Sequence, residues 1–272
     1  MPDLLRATLS FPGDTGPVRA YLSRPQQVGP LPAVIVIHEI FGLNPHIQAV
    51  TDRLASQGYV ALAPDLYSRP ALAPVLTPAN IEEAMNFRAT LTPAQQADPA
   101  AARQALELLP AERQAVLQKT MACLFGGMPR PSLVRDLVGA VDYLNAQPFV
   151  RSESVGSVGF CFGGGMSIAL ACQAPLAACV VFYGENPDPI ELVEHIPCPI
   201  LGLYGADDLR INRSLDRLVH AMVEYRKDFE MRIYPGAAHA FFNDTRPQVY
   251  RPAPAAEAWE RVLRFYKRTL KP

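Results

Sequence analysis

The chain has 272 residues, 49% of them hydrophobic, enough for a sizeable core, and its 25 basic and 26 acidic residues leave a net charge of −1. That balance argues against a nucleic-acid-binding face and against an acidic disordered tail, and no apolar run reaches the length of a membrane span. The first residues, MPDLLRATLSFPGD, lack the charged start and long apolar stretch of a secretory signal, and the five cysteines form no CxxC pair, so no disulfide framework or structural zinc site is expected and the cytoplasm is the expected compartment.

In chain order, ATLSF and VRAYLS flank the Gly13–Gly16 turn and predict a lead-in antiparallel hairpin. Short apolar runs then predict strands at 33–37, 59–63, 155–160, 177–183, 199–204 and 229–234. Between them, helical spacing marks 133–146, with Leu133, Leu137, Val141 and Leu144 on one face, then 163–173, 214–226 and 255–270. The segment 246–254 is a proline-marked loop. Residues 76–128 contain no strand and predict an insertion of two or three helices broken at Pro93, Pro99 and Pro110, covering one end of the sheet. The alternation gives an α/β fold in one domain over 1–272, with a mostly parallel central sheet and helices on both faces.

The stretch VGFCFGG, 158–164, joins a predicted strand to a predicted helix through Cys161. This is the strand–turn–helix context of a nucleophile elbow, with cysteine where serine is usual. Glycines on either side are required there, because the nucleophile occupies a strained turn and neighbouring Cβ atoms would collide. The helix N-terminus favours a thiolate. Alone, the motif leaves Cys161 as fit for a buried core thiol as for a nucleophile, and Cys172, Cys179 and Cys198 have apolar surroundings of the core kind. An activated nucleophile needs a base and an orienting acid. Downstream, His195 sits in a loop before a strand and His220 within an amphipathic helix, whereas His239 follows a strand and its glycine turn, where active sites of open α/β sheets gather. After PILGLY comes GADD, and of its two acids Asp208 is the choice over Asp207. For an oxyanion hole, the backbone N–H of Phe162 and that of Ile40 in HEIFGLN are the expected donors. Glu39, beside Ile40, is either a paired loop acid or a charge that controls thiol ionisation.

HEIFGLN, QGYVALAPDLYSR, GFCFGG, YGADD and AHAFFN, in this order and at these spacings, resemble the dienelactone hydrolase family of α/β-hydrolases over most of the chain. The resemblance implies the α/β-hydrolase fold and a hydrolase of lactones or activated enol esters, without metal or cofactor, acting on a small molecule with no nucleic-acid or membrane partner, as a monomer or weak homo-oligomer. It implies Cys161 as nucleophile, Asp208 as acid, His239 as base, Glu39 as an aid to thiolate formation, and Ile40 and Phe162 as oxyanion donors. Tyr183, Phe241, Asn243 and Arg88 are the expected substrate contacts. The family's type enzyme binds a substrate carboxylate with arginines; this chain has Asn243 where one of them would fall, with Arg246 beyond it, and Arg88, Lys119, Arg130 and Arg135 are the candidates for the other. Phe87, Met121, Phe125 and Met128 are candidate pocket-lining residues from the insertion. Three other readings are weighed: a thioesterase or other carboxylesterase, a non-catalytic binding protein on the same fold, and a redox thiol protein in which Cys123 approaches Cys161.

Overall fold

The hairpin forms where the sequence places it. In the computed structural model, which describes residues 3–26 and 29–270, β1 (Leu4–Gly13) and β2 (Gly16–Pro25) pair antiparallel, with Gly13 opposite Gly16. Six further strands follow: β3 (Leu31–Ile37), β4 (Val60–Pro64), β5 (Val150–Phe160), β6 (Ala178–Phe182), β7 (Ile200–Gly205) and β8 (Phe229–Tyr234). They join the hairpin in one sheet of order β1-β2-β4-β3-β5-β6-β7-β8, antiparallel as far as β4 and parallel from β4 to β8. This is the arrangement of an α/β-hydrolase sheet.

The inner parallel strands read as continuous apolar runs because both of their faces are covered, whereas the edge strand β8 leaves Met231, Arg232 and Ile233 exposed. All seven residues of β3 are buried, and they alternate between two cores: Ala33, Ile35 and Ile37 on one side, Val34 and Val36 on the other. The second side is covered by α1 (Pro45–Ala55) and α10 (Pro252–Thr269), through Ile47, Leu54, Val262 and Phe265. The first is covered by α6 (Arg130–Asn145), α7 (Phe162–Ala171) and α9 (Leu215–Glu224).

Three boundaries differ from expectation. Helix α1 was not predicted, although Asn44 caps it by accepting from the Ile47 N–H and Pro45 opens its first turn. Helix α10 begins at Pro252, inside the stretch expected to be loop, because a proline fits the first turn where its missing N–H has no partner to lose. His195 ends a 3-10 turn, Ile190–His195, rather than lying in open loop.

The insertion between β4 and β5 holds four helices, not two or three: α2 (Pro78–Thr90), α3 (Pro93–Ala97), α4 (Pro99–Glu107) and α5 (Ala111–Gly126). The expected breaks are real, but each proline starts a helix. Thr92 and Asp98 cap α3 and α4, each followed by proline in the first turn, and Pro110 is itself the cap position of α5. The insertion packs onto the first core through Ile81, Ala84, Phe87, Leu117 and Leu124, and so sits over the carboxyl ends of the parallel strands.

Candidate active site

The strand order reverses direction at β3, and an open α/β sheet has its crevice at such a point, beyond the carboxyl ends of the strands. Register fixes what meets there. Ile37 lies opposite Gly159, so two residues further on Glu39 and Cys161 leave the sheet side by side.

Cys161 has φ 56° and ψ −115°, a strained conformation for a residue with a side chain. Its neighbours cannot carry one. A Cβ on Gly159 would stand 1.8 Å from the carbonyl oxygen of Gly163, and a Cβ on Gly163 would stand 2.2 Å from that of Ile37. The glycines let β3, β5 and the first turn of α7 touch through bare backbone, and the contact aims the sulfur out of the sheet. The turn is pinned by the Cys161 N–H, which donates to the Phe182 carbonyl at 3.0 Å, and by the Gly164 N–H, which donates to the Cys161 carbonyl at 2.9 Å.

Three strand ends converge on that sulfur. His239 Nε2 lies 3.0 Å from Cys161 Sγ, and His239 Nδ1 lies 2.5 Å from Asp208 Oδ2. Asp208 is buried, caps the short helix α8 (Leu209–Asn212) and receives the Ile211 N–H, while Asp207 is exposed. Burial alone would lower the imidazole pKa; the hydrogen bonds to Asp208 and Cys161 outweigh it and raise the His239 pKa to about 9. His195 and His220 are both exposed and lie outside this group. Burial pushes the Cys179 thiol up to about 11 and the Cys172 thiol up to about 12, and raises those of Cys198 and Cys123 as well, so these four stay protonated.

Glu39 is buried and accepts a hydrogen bond from Asn243 Nδ2 at 2.5 Å; burial pushes its carboxyl above the usual range, against the nearby charge of His46 and the Asn243 bond. The loop it stands on is fixed by a residue the sequence reading passed over. His38, fully buried, donates from Nδ1 to the Glu39 carbonyl at 2.6 Å and accepts the Leu66 N–H at Nε2 at 3.2 Å. Both ring nitrogens are thus used in the neutral form, which burial favours. The Tyr67 hydroxyl donates to the Ile40 carbonyl at 3.3 Å. Phe162 opens α7, where the first N–H groups have no intrahelical acceptor.

Above the sulfur is a cavity of about 450 Å³. Its wall includes Cys161, His239, Glu39, Ile40 and Phe162 from the sheet side, and Met85, Arg88, Phe125 and Met128 from the insertion side. Arg88 is therefore where it was expected; its guanidinium rests on the Phe125 ring, 4.9 Å from the centroid. Arg246 lies on Phe41 in the same way and also lines the cavity. Of the other basic candidates only Arg130 reaches it, and Glu185 holds Arg130 and Arg210 at 2.7 and 2.6 Å. Lys119 is exposed on α5, and Arg135 pairs with Asp14 at 2.7 Å. Phe87 and Met121 pack into the core instead of the wall.

Two expected substrate contacts are placed differently. Tyr183 and Phe241 are fully buried behind His239: the Tyr183 ring lies 5.1 Å from the imidazole, and Phe241 packs on Tyr183 at 5.6 Å. Strand β6 ends at Phe182, and the chain turns inward with Tyr183 at φ 41°, which sets the ring beneath the histidine rather than beside the cavity. Asn243 lines a second, larger opening of about 720 Å³ that shares Phe41, Met85, Arg88 and Arg246 with the first. Glu185, Arg210 and His46 were not singled out from sequence, and only proximity in the fold reveals them. Among the described residues no group of three or more His, Cys, Asp or Glu side chains is placed to hold a metal ion, and no helix is long and apolar enough to cross a membrane.

Comparison with known proteins agrees with this architecture. Residues 18–270 match the model of the "Dienelactone hydrolase family". A Saccharolobus solfataricus protein named "Putative carboxymethylenebutenolidase" is 40% identical over 261 residues, covering 96% of this chain and 98% of its own. A Synechocystis protein of the same name is 29% identical over 281 residues, covering 99% of both. Among solved structures, a "Putative Dienelactone Hydrolase from Klebsiella pneumoniae" superposes with a TM-score of 0.72 at 26% identity, covering 97% of this chain and 98% of its own. With the family's model matched across nearly the whole chain and the same sheet beneath it, the chain belongs to the dienelactone hydrolase family, and it is an ester or lactone hydrolase of the α/β-hydrolase fold.

Proposed function

We propose that the chain hydrolyses lactones or activated enol esters, with Cys161 as nucleophile, His239 as base and Asp208 as its orienting acid, through an acyl-thioester on Cys161. The observation that carries this is the unbroken line Cys161–His239–Asp208, with contacts of 3.0 and 2.5 Å, at the floor of a cavity. The relatives named carboxymethylenebutenolidase support the lactone class.

An imidazole that keeps its proton up to about pH 9 suits a thiolate–imidazolium pair at neutral pH. The thiolate attacks the carbonyl carbon, and the Ile40 and Phe162 amides stabilise the oxyanion. Collapse breaks the carbon–oxygen bond of the ester, the leaving enolate oxygen takes the His239 proton, and the thioester remains with a neutral imidazole beside it. Water then gives a proton to neutral His239 and attacks the thioester, releasing the carboxylic acid and restoring the sulfur. A good leaving group matters because an imidazolium already paired to a thiolate is a weak acid, and this favours enol esters over alkyl esters. Glu39 assists thiolate formation from beside the sulfur. Arg88 favours substrates that carry a carboxylate, and the expected contacts of Tyr183 and Phe241 reach the substrate only through His239.

A monomer or weak homo-oligomer is compatible with this chemistry, and the unpaired cysteines suit the cytoplasm. The test is turnover of an activated ester by Cys161→Ala, together with intact mass after quenching the wild type in acid. The expected result is loss of about 10³-fold or more in kcat and an acyl adduct on the Cys161 peptide. Near-normal turnover by Cys161→Ala overturns the assignment.

A further inference from the structure

The charges on the cavity wall are not equally engaged. Arg88, Arg130, Arg210 and Arg246 line it, with Glu39 and Glu185 as the acids. Glu185 Oε2 accepts from Arg130 Nη2 at 2.7 Å, and Glu185 Oε1 accepts from Arg210 Nη1 at 2.6 Å. Each oxygen of this one carboxylate therefore holds an arginine from a different element, α6 or α8. The guanidiniums of Arg88 and Arg246 have no hydrogen-bond or ion-pair partner among the described residues, and they lie on the rings of Phe125 and Phe41.

Glu185 is fixed by its neighbours in the chain. Gly184 meets the first turn of α7 through bare backbone, where a Cβ would stand 2.3 Å from the carbonyl carbon of Gly164. Asn186 donates from Nδ2 to the Ser214 carbonyl at 2.6 Å. The two arginines come to the acid from flexible stems. Arg130 opens α6, where the insertion ends, and its guanidinium lies 5.9 Å from the centre of the Phe162 ring. Arg210 is on α8, two residues beyond Asp208. Burial alone would raise the Glu185 pKa; the hydrogen bonds and charges of Arg130 and Arg210 outweigh it and hold the carboxyl below its usual range. Two guanidiniums converging on one carboxylate is how arginines receive an anionic ligand. Here the protein fills that place with its own side chain.

We propose that Glu185 is a specificity-determining residue: it is a built-in counter-ion that occupies Arg130 and Arg210, so that a substrate carboxylate in the cavity is met only by Arg88 and Arg246. The class of substrate this selects is an ester or lactone with one carboxylate and a neutral part toward Glu185. The carboxylate acts on charge and not on the reacting atoms, so its removal should alter the preference between substrates and leave the chemistry in place. This rests on the reading of the cavity as the substrate site of Cys161.

The experiment compares kcat/KM for mono-p-nitrophenyl adipate, which carries one carboxylate, with that for p-nitrophenyl hexanoate, its neutral match in length, in the wild type and in Glu185→Gln. The variant frees two guanidiniums, so the adipate-to-hexanoate ratio should rise about fivefold at low salt, the upper range for a partly exposed ion pair. The rise should shrink in about 0.5 M sodium chloride, and kcat/KM for the hexanoate should stay within about twofold. Adding Arg130→Gln and Arg210→Gln to Glu185→Gln should remove the rise. An unchanged or lower ratio, an equal loss for both esters, or a rise that persists without the two arginines overturns the proposal. The Glu185 side chain is 42% exposed and an amide has its shape; if Glu185→Gln does not fold, Glu185→Ala takes its place with the same outcomes. Cys161→Ala in the same assay separates the two levels. Its full turnover overturns both, whereas an inactive Cys161→Ala with an unmoved ratio in Glu185→Gln overturns only the role of Glu185.

Discussion

The two walls of the cavity are built on different principles. The sheet wall is a backbone construction: Gly159 and Gly163 bring three elements into contact with no room for a Cβ, Cys161 and Asp208 follow the buried ends of β5 and β7, and His239 follows the edge strand β8. The insertion wall is a side-chain construction. Helices α2 and α5 offer Met85, Arg88 and Phe125, long side chains on helices that reach the core through a few apolar residues each. Geometry needed to within a fraction of an ångström sits on the first wall, and groups that only need to fill or charge a space sit on the second. Replacements on the sheet wall should therefore abolish chemistry or folding, while those on the insertion wall should alter which molecules are accepted.

The sharpest test of this contrast is at Asp208. Asp208→Asn should lower kcat by about 10³-fold by releasing the imidazole from its orienting partner, while Asp207→Asn, exposed one residue earlier, should leave kcat within about twofold; equal losses would mean that the turn, and not the carboxylate, is what matters. The same pair has a pH signature. His239 binds its proton more tightly in the folded chain, about 9 against an ordinary 6.5, so the folded state holds the extra proton between those values. The stability it contributes is full below pH 6.5 and is lost as pH rises to about 9, so the melting temperature should fall more steeply over that window in the wild type than in Asp208→Asn.

Next in size is the elbow. A methyl group at Gly163 meets the Ile37 carbonyl at 2.2 Å, and Gly163→Ala should cost about 3 kcal/mol in denaturant unfolding and most of the activity. Unchanged stability would mean that the elbow yields and that the first wall is softer than described. The smallest effect is expected opposite. Arg88→Ala should raise KM about tenfold for esters that carry a carboxylate, with kcat and the KM of neutral esters little changed. A fall in kcat instead would place Arg88 among the groups that hold the reacting atoms and would blur the two walls.

The same division explains what the sequence disclosed. Backbone requirements leave marks in the residues themselves: G-F-C-F-G-G, the acid after β7 and the histidine after β8 are legible because few residue types satisfy them. Apolar runs buried on both faces mark the inner parallel strands just as clearly. Helix α1 had readable signals in Asn44, Pro45 and the spacing of Ile47, Val50 and Leu54, yet it escaped because HEIFGLN drew the reading toward a loop. The prolines of the insertion were read as stops when Thr92 and Asp98 mark them as starts. Glu185 and Arg210, and the pairing of Asn243 with Glu39, follow from contacts between segments far apart in the chain, and no local pattern announces them. Tyr183 and Phe241 were matched to the site correctly in neighbourhood and wrongly in depth, since adjacency in sequence says nothing of which side of a histidine a ring occupies.

The contacts at the site span 78 residues from Cys161 to His239 and 204 from Glu39 to Asn243. None of them is local, so the site has a high contact order and exists only after every parallel strand has found its place. No fragment shorter than residues 39–243 contains it. Hydrolysis by this chain is therefore a readout of completed folding, and partly assembled forms that already possess most of their helices will be silent in any assay of turnover.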